Sequence, residues 1–109
     1  MKKGEIWLVN FDPAIGTEYK KVRPALVIQS DKMISPLVTV VPLSSQLKSH
    51  EKNDMLVAKN SQNRLFSDSL LKVQQISSFD KERFFHFIGI MSQKSLLPFE
   101  KYLKKHFDL

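Results

Sequence analysis

The sequence predicts a mainly β fold, a small β-barrel with helical additions, on three observations. Short runs of branched and aromatic residues recur along the chain, punctuated by Pro, Gly, Asn, Asp and Ser. Helical spacing is confined to the tail, where Leu96, Phe99, Leu103 and Phe107 recur at three- and four-residue steps. Strands and helices do not alternate, which argues against a βαβ architecture. At 109 residues the chain fits one domain, 1–109, large enough for a core and small enough that a partner would help.

Each element has its own signal. Glu5 to Phe11 sets Ile6, Leu8 and Asn10 on one side and Trp7, Val9 and Phe11 on the other. Apolar residues on both sides predict a strand covered on both faces, with Trp7 in the core. Asp12-Pro13 ends it, and the stretch to Val22 reads as a long loop turning at Gly16. Ala25 to Ile28 is a second buried strand and Leu37 to Leu43 a third, with Pro42 restricting its far end to an edge or bulge. The polar run from Leu47 to Asp54 is a loop, Met55 to Ala58 a short strand, and Asn60 to Asn63 a turn. Asp68 to Val73 predicts a strand that continues weakly through Ile76; Asp80-Lys81-Glu82 predicts one helical turn, and Phe84 to Ile90 a β segment. For the terminal helix, Pro98 argues against a start at Ser92, which makes Ser95 the expected N-cap.

Composition narrows the chemistry. The chain has no cysteine, which excludes disulfides, thiolate nucleophiles and Cys-ligated metals. Seventeen Lys and Arg against eleven Asp and Glu leave +6, which favours polyanionic partners, nucleic acid first and an acidic protein second. No apolar stretch is long enough to span a bilayer, and Lys2-Lys3 runs into Gly4-Glu5 rather than an apolar signal core. A cytoplasmic location and no membrane partner are the expectation. His50, His86 and His106 are far apart in sequence and no His/Asp/Glu cluster with metal-ligand spacing is read, so no metal or other cofactor is expected.

Arg23 stands out. Pro24 pushes the residue before it into extended conformations, so Arg23 is held at a strand mouth. A guanidinium there offers a planar donor fork that suits phosphate oxygens, although a plain surface ion pair fits the same residue in isolation. Ser44 and its neighbour Ser45 follow the third strand and supply hydroxyl donors. Between the first two strands, Tyr19, Lys20 and Lys21 set an aromatic beside basic residues, a composition suited to single-stranded RNA.

Taken together, GEIWLVNFDP, then GTE, then VRPALVIQS at the start of the chain resemble the opening of the MazF/PemK family of type II toxin–antitoxin ribonucleases. The resemblance implies an SH3-like barrel of that type with a C-terminal helix, a homodimer, and an acidic, partly disordered cognate antitoxin. It further implies metal-independent cleavage of single-stranded mRNA, by attack of a ribose 2′-OH on its own 3′ phosphate. Arg23 and Ser44 match the family's catalytic arginine and hydroxyl, with Ser45 one residue away as a competing assignment. An RNA groove would then involve Thr17, Glu18, Tyr19, Lys20, Lys21, Ser45, Gln46, Lys72 and Gln74. Some family members place an acidic residue about where this chain has Gln74, which cannot titrate. Two alternatives keep the fold and change the function: a toxin that poisons gyrase by binding protein, and an RNA-binding module that has lost activity.

Overall fold

A computed structural model describes residues 1–12 and 21–109. Its strands, in chain order, are β1 (Glu5–Asn10), β2 (Val22–Val27), β3 (Leu37–Ser44), β4 (Met55–Val57), β5 (Ser69–Leu71), β6 (Ser77–Asp80) and β7 (Phe84–Ile90), followed by the helix α1 (Gln93–Phe107). All pairings are antiparallel, in the order β4-β5-β3-β2-β1-β7, with β6 added beside β3. The expected mainly β architecture with one terminal helix is present.

Period-two alternation along the central strands sorts the apolar residues into two clusters. Ile6, Leu26, Val41 and Leu43 face one side, where Leu96 and Phe99 of α1 close over them. Val9, Ala25, Val27, Val38 and Val40 face the other, joined by Phe11, Phe84 and the half-buried Trp7. The two-sided covering predicted for β1 is therefore real. Gly4 takes φ +96°, and a Cβ on it would press to 3.2 Å from both Leu96 Cδ1 and the Met91 carbonyl oxygen. That position needs glycine, because the chain turns there directly beneath α1.

Four points differ from the sequence-based reading. Pro42 lies inside β3 rather than at an edge. β3 pairs with β6 through Leu37–Val40 and with β5 only at Leu43 and Ser44, so Pro42 sits where the neighbouring strand changes. The Pro42 carbonyl accepts from Lys72 N–H at 3.0 Å on that side, and its missing N–H falls in the same gap. Second, the segment read as one strand from Asp68 to Ile76 is β5 followed by a 3₁₀ turn at Val73–Gln75. Third, β6 has no apolar run to announce it; Ser77-Ser78-Phe79-Asp80 pairs through backbone, aided by Thr39 Oγ1 at 2.6 Å from Ser78 Oγ.

The fourth correction is the helix start. Ser92, not Ser95, is the N-cap of α1, its hydroxyl accepting from Ser95 N–H at 3.2 Å, and Pro98 lies inside the helix. An internal proline costs about 3 kcal/mol. Burying a phenylalanine and a leucine offsets about 3–6 kcal/mol, and Phe99 and Leu96 flank Pro98 on the buried face. Tertiary packing outweighs the local breaker. The turn predicted at Asp80 is a 3₁₀ turn at Lys81–Arg83, capped by the Asp80 side chain accepting from Glu82 N–H. No helix among the described residues is long and apolar enough to cross a membrane.

Candidate functional site

Three segments meet around Arg23. The first is the mouth of β2, where Arg23 pairs with Val9 and Pro24 with Leu8 of β1. The register of β2 with β3 begins at Ala25, beyond this mouth. The second is the end of β3, which delivers Ser45. The third is the segment between β4 and β5, which brings Leu65, Phe66 and Ser67. Together they line a cleft of about 200 Å³. A larger cleft of about 370 Å³ between β4 and the start of α1 contains none of the motif residues.

The two serines have different surroundings. Ser44, the last residue of β3, pairs with Leu70 and is only 2% exposed. Its hydroxyl accepts from Gln46 N–H at 3.2 Å and so starts the turn that follows. Ser45 is exposed and lines the cleft with Arg23. Gln46 is exposed as well, and its carbonyl accepts from Ser49 N–H at 3.0 Å and Ser49 Oγ at 2.7 Å.

The next turn is held from inside. Lys72 is 2% exposed, so it is neither a solvated strand lysine nor placed to meet an RNA backbone. Its Nζ donates to the Ser49 carbonyl at 2.8 Å, to Asp54 Oδ2 at 2.5 Å and to Glu51 Oε1 at 2.9 Å. Asp54 is buried too, and its Oδ2 accepts from Glu51 N–H at 2.8 Å. The polar segment after Ser44 is thereby fastened to the end of β5. Nothing local in the chain signals this, because Lys72 and Asp54 look like ordinary surface charges until β5 is placed beside β3 and β4.

Thr17, Glu18, Tyr19 and Lys20 lie outside the described residues, as does the Gly16 turn. The two ends of that loop are described and are tied together. Lys21, exposed with φ 61°, donates its N–H to Asp12 Oδ1 at 2.7 Å, and its carbonyl accepts from Phe11 N–H at 2.8 Å. Arg83 donates from Nη1 to the carbonyls of Asn10 and Asp12 and lies 5.2 Å over the Phe79 ring. Gln74 is exposed on the 3₁₀ turn after β5 and does not line the Arg23 cleft. Among the described residues no three His, Cys, Asp or Glu side chains gather as a metal site. His50 and His86 are exposed, and His106 packs edge-on to Phe107.

Phe66 is the cleft residue that sequence reading passed over. It is 99% exposed, yet the segment that carries it is firmly built. Buried Asn63 accepts through Oδ1 from Asn60 N–H and Leu65 N–H, each at 3.0 Å, and donates through Nδ2 to the Ala58 carbonyl at 2.9 Å. Asn60 Oδ1 accepts in return from Asn63 N–H at 2.7 Å. The available signal was an Asn-rich turn ending in Arg64-Leu65-Phe66, an aromatic with no strand or helix to belong to.

Comparison with known proteins agrees with this architecture. A family model described as PemK-like, MazF-like toxin of type II toxin–antitoxin system matches residues 2–107. Endoribonuclease MazF9 of Mycobacterium tuberculosis is 33% identical, over 100% of this chain and 98% of its own length. Endoribonuclease EndoA of Bacillus subtilis is 28% identical, over 76% of this chain and 73% of its own. Among solved structures, MazF of Deinococcus radiodurans superposes with a TM-score of 0.82 at 19% identity, covering 100% of this chain and 97% of that one. An endoribonuclease of a mycobacterial species, solved in complex with its cognate antitoxin, gives 0.77 at 12% identity, covering 100% and 96%. At those identities the structural matches speak for the fold.

Proposed function

The chain belongs to the PemK-like, MazF-like toxin family of type II toxin–antitoxin systems, and from that premise we propose that it is an endoribonuclease that cleaves single-stranded mRNA without a metal. The observation that carries this reading is Arg23, fixed at the mouth of β2 by Pro24 and lining a cleft it shares with Ser45 and Phe66. The surplus of six positive charges favours a polyanionic substrate.

In the proposed reaction a ribose 2′ oxygen bonds to the adjacent phosphorus and gives up its proton. The bond from phosphorus to the 5′ oxygen breaks, and that oxygen takes up a proton. The products are a 2′,3′-cyclic phosphate and a 5′-hydroxyl. An arginine stays protonated in water, so Arg23 is not the base. Its guanidinium stabilises the negative charge that builds on the phosphorane, and a strand-end hydroxyl adds a second donor. Proton transfer passes through solvent or a further group. The enzyme acts in the cytoplasm as a homodimer, and an acidic antitoxin segment restrains it.

The test is incubation of purified protein with single-stranded RNA in EDTA, followed by end-group analysis. Cyclic phosphate and 5′-hydroxyl ends are expected. Arg23→Ala is expected to lower the rate by about 10²–10³ while leaving the circular dichroism spectrum unchanged. Arg23→Lys should recover little, because a lysine lacks the fork. A folded Arg23→Ala protein that cuts at the wild-type rate would remove Arg23 from the centre. A wild-type protein that cuts no RNA but binds gyrase would move the chain to the protein-binding class.

A further inference from the structure

We propose that Phe66 is a nucleobase platform, on which a base next to the scissile phosphate stacks when RNA occupies the Arg23 cleft. The inference rests on the ribonuclease reading and adds to it a subsite that neither the motif nor the family match supplies. Phe66 and Arg23 line the same cleft of about 200 Å³, and the ring of Phe66 is 99% exposed. A phenyl ring in water gains nothing for the isolated fold, whereas a base has a π-face whatever its identity. Beside it, Arg23 is suited to the phosphate that the same nucleotide carries. A single-stranded substrate offers both groups on one nucleotide, and the cleft offers a partner for each. The hydroxyls of Ser45 and Ser67 stand along the same cleft and suit the edges of a stacked base.

The backbone on either side of Phe66 is fixed rather than trailing. Asn63 and Asn60 lock the preceding turn through side-chain bonds to backbone. After it, Asp68 Oδ1 accepts from Lys59 N–H at 2.9 Å and Ser69 Oγ donates to the Ser67 carbonyl at 2.9 Å. The turn is seated against β7, where Ile90 N–H donates to the Gln62 carbonyl at 3.0 Å. Gly89 makes that seat possible: a Cβ there would lie 2.8 Å from the Gln62 carbonyl oxygen and closer still to that of Asn63. An exposed aromatic on a rigid mount loses little conformational freedom when a base settles on it.

The experiment uses the full chain. Wild-type protein first cuts a long single-stranded transcript in EDTA to map its sites. Oligonucleotides that span one site are then made with a 2′-deoxy residue at the attacking position, intact or with one abasic residue at each flanking position. Phe66→Ala is expected to weaken binding of the intact oligonucleotide by about 10- to 100-fold, and Phe66→Trp to hold or tighten it. One abasic position should weaken wild-type binding by a similar factor and have little further effect on Phe66→Ala. Equal binding by Phe66→Ala and wild type, or undiminished losses at every abasic position in the variant, would overturn the platform while leaving the nuclease standing. A change of oligomeric state in Phe66→Ala would overturn it too, by making the ring an interface residue. A wild-type protein that cuts nothing would bring down the nuclease reading first and the platform with it.

Discussion

An ammonium has three N–H bonds to place, and Lys72 places them on a carbonyl and two carboxylates, while the fold buries both it and Asp54. Such a pair contributes little or nothing relative to a well-packed apolar substitute, but breaking it leaves a stranded charge. Asp54 is exposed to that hazard, because its Oδ1 already has no hydrogen-bond partner among the described residues. Lys72→Met is therefore expected to lower stability by about 3–5 kcal/mol, and the double variant Lys72→Met, Asp54→Leu to regain a large share. Urea unfolding of wild type, Lys72→Met, Asp54→Leu and the double variant measures the coupling, and strictly additive losses would show that the two residues act independently. The strand-end serines yield a second expectation at this scale. The family resemblance favours Ser44 as the active hydroxyl, whereas Ser45 is the serine that lines the cleft. Ser44→Ala is expected to do more damage, because it also removes the acceptor of Gln46 N–H and so loosens the turn that begins at Ser45. Single-turnover rates decide, and a larger loss in Ser45→Ala would move the active hydroxyl by one residue.

Helix α1 tests the balance between local propensity and packing. Pro98 removes the N–H that would bond the Lys94 carbonyl, and it does so on the exposed side of a helix whose buried side carries Leu96 and Phe99. Pro98→Ala is expected to raise stability by about 1–3 kcal/mol, read as a higher urea midpoint. No gain would mean that the unfolded chain benefits as much from losing the proline. Phe99→Ala is expected to cost about 3–5 kcal/mol, since the ring is 1% exposed beneath the sheet. The same balance explains what could be read from the chain beforehand. β1, β2 and β3 announce themselves because their pattern comes from side chains that are buried, and β4 and β7 through branched and aromatic residues that favour a strand even where they stay exposed. β6 does not, because Ser77 to Asp80 is recruited by the backbone of β3 and needs no apolar code. The cap at Ser92 was hidden by a proline rule that is sound for a free helix and is overridden by two buried side chains. At the candidate site, Arg23 drew notice through the VRPALVIQS motif and the Pro24 beside it, both local in sequence. Phe66 and the Lys72–Asp54 pair depend on neighbours far along the chain, which only the fold brings together.

At the level of the whole molecule, apolar side chains remain uncovered that one small core has no room for. Phe85 and Phe87 on β7, Leu56 on β4, and Leu97 and Phe107 on α1 are all exposed. Together with the family, this motivates a C₂ dimer, and light scattering at micromolar concentration is expected to give twice the chain mass; a monomer would count against it. The charge of +6 has a separate consequence. An acidic segment and an RNA backbone compete naturally for one basic surface, but charge alone gives binding that fades over a Debye length of about 10 Å at 0.1 M salt. An antitoxin that must silence a nuclease in the cell therefore needs apolar anchors as well, and a disordered segment can supply both while wrapping a large surface. The expectation is mutual exclusion. A cognate antitoxin peptide should raise the apparent Kd of the enzyme for a non-cleavable RNA in proportion to its own occupancy, and its complex should survive a moderate rise in salt that dissociates the RNA. Fluorescence anisotropy with labelled RNA and unlabelled peptide reads both effects. If RNA and peptide bind together without influence on each other, inhibition acts away from the Arg23 cleft.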